Sequence, residues 1–127
     1  MAGAGAFEPV NRVEEQLVAA ATGDRGQQMA FERFILDETL YVATPEARPE
    51  GTFVAAAGTS LDLMTVRLDD GRTATAVFTS PHRIYETFGE VGSVGIQGRV
   101  LFEMIRANPA WLNPGHAYGV VWEPGTL

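Results

Sequence analysis

Apolar positions along the chain change period twice. From residue 10 they recur at helical spacing, as Val10, Val13, Leu17 and Ala21, the step of an amphipathic helix. Asn11 with Glu14 three residues on reads as a variant capping box at its start, and Gly23 as its stop. A second helix is predicted from Arg25 to Asp37, with Ala30, Phe31, Phe34 and Ile35 on one face. The pattern then turns β-branched and aromatic. Thr39–Ala43, followed by Pro45, predicts a short strand. Residues 45–60 hold two Pro and two Gly and predict an irregular connection, with a short strand at Thr52–Ala56. Asp70-Gly71 is a two-residue type I′ turn candidate between the strand-like runs Leu63–Leu68 and Thr73–Thr79. That register pairs Asp69 with Arg72, Val66 with Thr75, Met64 with Val77 and Leu63 with Phe78. Leu68, Val66, Met64 and Val77 then share one face, with Leu63, Phe78 and the alanines on the other. Apolar groups on both faces imply an interior place in the sheet.

Beyond Thr79 the order becomes strand, helix, strand, helix, strand. Ser80-Pro81 predicts an N-cap with proline at the first helical position, opening a helix to about Phe88. Ser93–Ile96 predicts a strand, and Arg99–Ala107 a helix with Val100, Leu101, Met104 and Ile105 on its stripe, stopped by Asn108-Pro109. Ala110–Leu112 predicts a strand running into the turn sequence Asn113-Pro114-Gly115, and Val120–Trp122 a last edge strand. The expected fold is α+β (mixed α/β). It is one domain over residues 1–127 with a core about 11–122, a mixed sheet antiparallel on one side and parallel on the other, and about four helices. Its second half supplies two right-handed, parallel βαβ crossovers.

Ligand sites in parallel segments gather at the carboxyl ends of the strands. Here those ends are Thr79-Ser80, Gln97-Gly98 and Asn113 to His116. The candidate rim is therefore Thr79, Ser80, His82, Arg83, Gln97, Asn113, Gly115, His116 and Tyr118. Composition limits what it can do. There is no Cys, hence no thiolate nucleophile and no Cys-ligated metal, and all nine basic residues are Arg, so no Schiff-base amine exists. His82 and His116 are the only imidazoles and form no H-x-x-x-H pattern, so no metal site is predicted. Glycines 89, 92, 95 and 98 do not spell the dinucleotide fingerprint; close strand–helix packing explains them better, and no cofactor is predicted. Asp69-Asp70 reads as turn chemistry rather than a carboxylate pair.

The net charge of −7 is uneven, with ten acids against four Arg in residues 1–63 and six against five in residues 64–127. The Arg residues are scattered, which argues against nucleic acid. The ordinary reading of the acidic half is a solvated helical face, which can also attract a basic protein. No apolar run approaches the ~20 residues of a membrane span. The opening residues have no basic or apolar region of a signal peptide, so the cytoplasm is the expected location.

Three chemistries of the rim can be written. Ser80 with His116 or His82 would make a nucleophile and base, but no Gly-x-Ser-x-Gly elbow or orienting acid is identifiable, and Ser80 is expected to cap its helix. The N–H groups of His82 and Arg83 with the Arg83 side chain would take a small anion, although Pro81 removes one donor. A concave pocket of Thr79, Ser80, Asn113 and His116 would take a small metabolite.

Ala76-Val77-Phe78-Thr79-Ser80, followed by Trp111-Leu112-Asn113-Pro114-Gly115 and Tyr118-Gly119, resembles the SseB family N-terminal domain. Asn11–Ala21 is similar to that family's first helix, and Phe31–Val42 to its Phe-rich helix entering a strand. The likeness spans Asn11 to Tyr118. It implies a bacterial domain linked by name to enhanced serine sensitivity and in places to type III secretion, with no reaction generally assigned. Phe78, Thr79, Ser80, Asn113, Pro114 and Gly115 are then family signatures, not established catalytic groups. Family members often carry a second C-terminal domain and a helix after the last strand; this sequence ends at Glu123-Pro-Gly-Thr-Leu. The expected function is a non-catalytic protein-interaction or regulatory domain. The alternatives are binding of a small molecule, an amino acid or an anion, and then hydrolysis. A homodimer through the apolar edge at Val120–Trp122 is a further option, with core packing the plainer role for that edge.

Overall fold

Side-chain caps open the two N-terminal helices. In the computed structural model, which describes residues 8–44, 52–54, 64–116 and 118–125, α1 (Arg12–Ala21) starts where Asn11 Oδ1 accepts the Glu14 amide at 2.9 Å. The Glu14 carboxylate does not close the box: it accepts the Val10 amide instead of the cap's own. A complete box stands at α2 (Arg25–Ile35), where Asp24 accepts the Gln27 amide and Gln27 accepts that of Asp24. This pair is an Asp-x-x-Gln signal absent from the expectations above. On α1 the buried stripe is Val13, Leu17 and Ala20, with Val10 and Ala21 exposed; α2 buries Phe31 and Ile35.

The strands are β1 (Thr39–Ala43), β2 (Thr52–Val54), β3 (Thr65–Arg67), β4 (Thr73–Val77), β5 (Ser93–Gln97), β6 (Ala110–Leu112) and β7 (Val120–Trp122). They form one sheet of order β1-β5-β2 and a mixed sheet of order β3-β4-β6-β7. The two are joined where Tyr41 and Phe78 exchange both backbone hydrogen bonds, at 2.8 and 2.7 Å. The fold is α+β, as expected. β4 and β5 are each antiparallel to β1, so they run parallel with β1 between them. The chain crosses between them through α3 (Pro81–Phe88) and returns through α4 (Gly98–Met104) to β6, which lies parallel beside β4. The crossovers thus link parallel strands, but the sheet does not split into an antiparallel side and a parallel side, because β1 is inserted. The stretches expected at residues 45–51, 55–63 and 1–7, Leu63 and Ala56 among them, lie outside the described residues.

The hairpin is shifted by one residue. Leu68 and Arg72 close it around three residues, Asp69 to Gly71, with Leu68 N–H donating to Arg72 O at 2.8 Å. Val66 therefore pairs with Ala74 and Thr65 with Thr75. A type I′ turn needs positive φ at both central residues, whereas here only Gly71, at φ 91°, adopts it, as in a type I turn completed by a left-handed glycine. Asp70 holds the Arg72 amide and its Nε, and the rest of that guanidinium grips Glu123. The shift moves Val66 to the face of Ala76 and Phe78, opposite to Val77.

Helices cover both faces. α1, α2 and α4 pack Leu17, Phe31, Ile35, Leu101, Phe102 and Ile105 against Leu40, Val42, Val77, Val94, Ile96 and Leu112. Phe102 was not on the expected stripe. On the other face α3 lays Ile84 and Phe88 against Ala43, Ala76 and Phe78, with the rings of Phe78 and Phe88 edge to face at 5.7 Å. Close approach explains two glycines. A Cβ on Gly98 would lie 2.0 Å from Ile35 O, and one on Gly95 would meet Thr39 and Tyr41.

Candidate functional site

The corner after β4 and the corner after β6 meet at one end of the sheet. Asn113 follows β6 with φ 52°, the one non-glycine among the described residues in left-handed backbone, a conformation Asn tolerates better than most residues. Its Oδ1 accepts the Thr79 amide at 3.1 Å and its Nδ2 donates to Thr79 Oγ1 at 3.0 Å. From the other side Asn11 Nδ2 donates to Thr79 O at 2.8 Å. The start of α1 is thereby tied to both corners.

At the centre lies a carboxylate. Glu14 is fully buried, and its Oε2 accepts Thr79 Oγ1 at 2.6 Å, Ser80 Oγ at 3.0 Å and Arg83 Nε at 3.1 Å. Its Oε1 accepts the Val10 amide at 2.9 Å and Arg83 Nη2 at 2.8 Å. The guanidinium also reaches the Glu8 carbonyl and Glu86 Oε1. Burial pushes the Glu14 carboxyl up, but the hydrogen bonds from Arg83, Thr79, the Val10 amide and Ser80 outweigh it and hold the group below the usual carboxylate value. Burial likewise lowers Arg83, while Glu14 and Glu86 raise it above the ordinary guanidinium value. Among the described residues no buried side-chain polar atom is without a partner.

Outside this centre Glu86 gathers a second tier, of exposed His82 and half-buried His116. Its Oε1 lies 2.9 Å from His116 Nε2 and its Oε2 lies 3.1 Å from His82 Nε2. Burial raises the Glu86 carboxyl, but the contacts with His116, Arg83 and His82 hold it below the ordinary value. His116 Nδ1 faces Pro114 O at 3.3 Å.

A model of the SseB protein N-terminal domain matches residues 13–127. The chain belongs to that family. No curated protein and no solved structure matches it. In this SseB N-terminal domain Thr79, Ser80 and Asn113 are buried, and Phe78 is core.

The rim expected from the sequence is thus part buried network, part surface. Thr79, Ser80, Arg83 and Asn113 join in the network around Glu14, while His82 and His116 meet at Glu86. Exposed Gly115, at φ 83°, shapes the turn between Asn113 and His116. Tyr118 is half-buried against the larger core. Gln97 is exposed at the start of α4 and takes no part in the network's hydrogen bonds.

Two expectations are corrected. Ser80 occupies the N-cap position of α3 with extended backbone, but its side chain makes no cap hydrogen bond, because its hydroxyl donates to the buried Glu14 carboxylate instead. Arg83 does not offer a free anion site: its amide donates to Ser80 O at 3.2 Å and its guanidinium is held by Glu14 and Glu86. Clefts of about 490, 320 and 270 Å³ open elsewhere, beside α4, between the N-terminal helices and β7, and over the α1–α2 pair. Among the described residues no group of His, Asp or Glu side chains could hold a metal ion, and no helix is long and apolar enough to cross a membrane.

Asn11 and Glu14 are expected from the sequence only as a helix cap, and Glu86 has no expected role; all three belong to the site. A signal for Glu14 was present. It sits with Val10, Val13 and Leu17 on the apolar stripe, and an acid on such a stripe needs a buried partner. Arg83, beside Ile84 on the packed side of α3, is that partner.

Proposed function

We propose that this SseB N-terminal domain is a non-catalytic protein-interaction or regulatory domain, working in the cytoplasm and binding protein rather than nucleic acid. The observation that carries the reading is the closure of the Glu14 network. The rim side chains that could have been reactive or ligand-binding direct their polar atoms to one another and to Glu14, with Thr79 and Asn113 at 0% exposure and Ser80 and Arg83 at 4%. A hydrolase would need Ser80 against an imidazole, whereas its hydroxyl donates to a carboxylate. A metabolite site would need the donors that Glu14 already engages. What such a scaffold leaves outward is an exposed rim of His82, Tyr85, Glu86 and Gln97, the kind of surface a partner reads.

Photo-crosslinking residues placed singly at His82, Tyr85 and Gln97 in the source organism test the reading. The expected result is one recurring protein adduct, retained in Ser80→Ala and His116→Ala chains that remain folded. No recurring adduct from any of the three positions, or a catalytic turnover lost in either alanine chain, overturns it.

A further inference from the structure

Among the described residues β7 pairs with β6 alone, which leaves its outer side as the end of the four-stranded sheet. Such an edge presents N–H and C=O groups that another chain can pair with, and proteins commonly blunt it with charge or proline inside the strand. Val120–Trp122 contains neither. A cleft of about 320 Å³ lies between this strand and the helices, walled by Ala20 of α1, Phe31 and Glu32 of α2, and Val120 and Trp122 of β7. Val121 points to the opposite face and is exposed. Glu32 is the one charged side chain of the cleft among the described residues, and its Oε2 accepts the Trp122 indole N–H at 3.0 Å.

We infer that this edge takes up an extended segment of a partner protein, apolar with a basic side chain among those facing the cleft. The inference goes beyond the rim-centred interaction reading: it adds a second surface and names the partner chemistry that surface fits. A strand added beside β7 turns every second side chain toward the helices, where Ala20 and Phe31 offer apolar contact and Glu32 a negative charge. Charge selects the occupant. A second copy of the chain would bring another net −7 and another Glu32 to the same edge, whereas a basic segment meets a complementary one.

The test is an amide NMR titration of the full chain at low salt with two synthetic nonapeptides of alternating Thr and Val, one carrying Arg in place of a Val and the other Glu. The Arg peptide is expected to shift the amides of Val120–Trp122 and of Phe31 and Glu32 saturably. The Glu peptide should bind more weakly, and Glu32→Gln should weaken the Arg peptide about threefold, the scale of one exposed charge pair. Gln still accepts the indole hydrogen bond, so this variant keeps the wall intact. Equal binding of both peptides, no binding of either, or shifts confined to residues 79–83 and 113–116 overturns the inference. So does a concentration-dependent dimer whose dissociation shifts the same β7 amides, which gives the edge to a second copy. Such failure leaves the interaction-domain reading standing when the rim crosslinks still recover a protein, and those crosslinks fail or succeed independently of the peptides.

Discussion

Asn113 combines two demands that other residue types meet singly. Its backbone is left-handed at φ 52°, and its side chain joins the two corners through Thr79. Asn113→Gly keeps the backbone and loses the hydrogen bonds, and is expected to cost about 1–2 kcal/mol. Asn113→Ala loses both and should cost about 1 kcal/mol more. Urea unfolding of the two variants checks the order, and equal losses would show that the φ angle carries no strain. Ser80 offers a sharper distinction. A cap serine is indifferent to Glu14, whereas a serine that donates to that carboxylate is coupled to it. Ser80→Ala is expected to lose about 1.5 kcal/mol in the native chain and clearly less in a Glu14→Gln background, measured as a double-mutant cycle. The sequence showed Ser80 and Asn113 as corner residues but not their partners. Ser80-Pro81 has the local form of a cap, and only the distant Glu14 decides where the hydroxyl turns.

Among the elements, those governed by local chemistry were legible. β1, β6 and β7 have the bounds their apolar runs and flanking turns imply, and α3 begins at Pro81. The hairpin register was not, because Asp-Gly suits a two-residue or a three-residue loop, and the choice falls to backbone angles that composition does not show. Strand order was not legible either: β1 enters between β4 and β5 by pairing Tyr41 with Phe78, residues far apart in the sequence. The glycines of α4 and the hairpin separate packing from conformation. Gly98→Ala would press a methyl into Ile35 O and is expected to cost about 1–3 kcal/mol through displacement of α4 from the end of α2. Gly71→Ala meets nothing within 4 Å and is strained by its φ of 91° alone, which should cost about 1 kcal/mol. Thermal unfolding ranks them, and a larger loss at Gly71 would place the crowding elsewhere.

Across the whole molecule the Glu14–Arg83 pair joins layers that share no core. Glu14 comes from α1 on one face of the sheet and Arg83 from α3 on the other, and they meet over the end of β4. A pair so deeply buried is weak evidence of net stabilisation, since desolvation offsets its attraction, but removing one partner strands the other. Arg83→Met is therefore expected to lose about 3–5 kcal/mol at neutral pH. The pH dependence then has a defined sign. Glu14 is held below its unfolded value of 4.5, so its contribution is present above that pH and is lost as the pH falls through the lowered folded value. Glu86 is shifted the same way and adds a smaller part on the same limb. In Arg83→Met the carboxyl loses its strongest lowering partner and keeps only the Thr79, Ser80 and Val10 hydrogen bonds against burial, so its folded value rises and the deficit against the native chain should narrow as the solution is acidified. In Glu14→Gln the ionisable group is gone, and stability below about pH 4.5 should fall less steeply than in the native chain, with Glu86, Glu123 and Asp70, all held below their ordinary values, supplying the remaining slope. Urea midpoints between pH 7 and pH 3 read all three curves. Parallel acid limbs in the native and Glu14→Gln chains would show that the interlock between the layers does not depend on the carboxylate's charge.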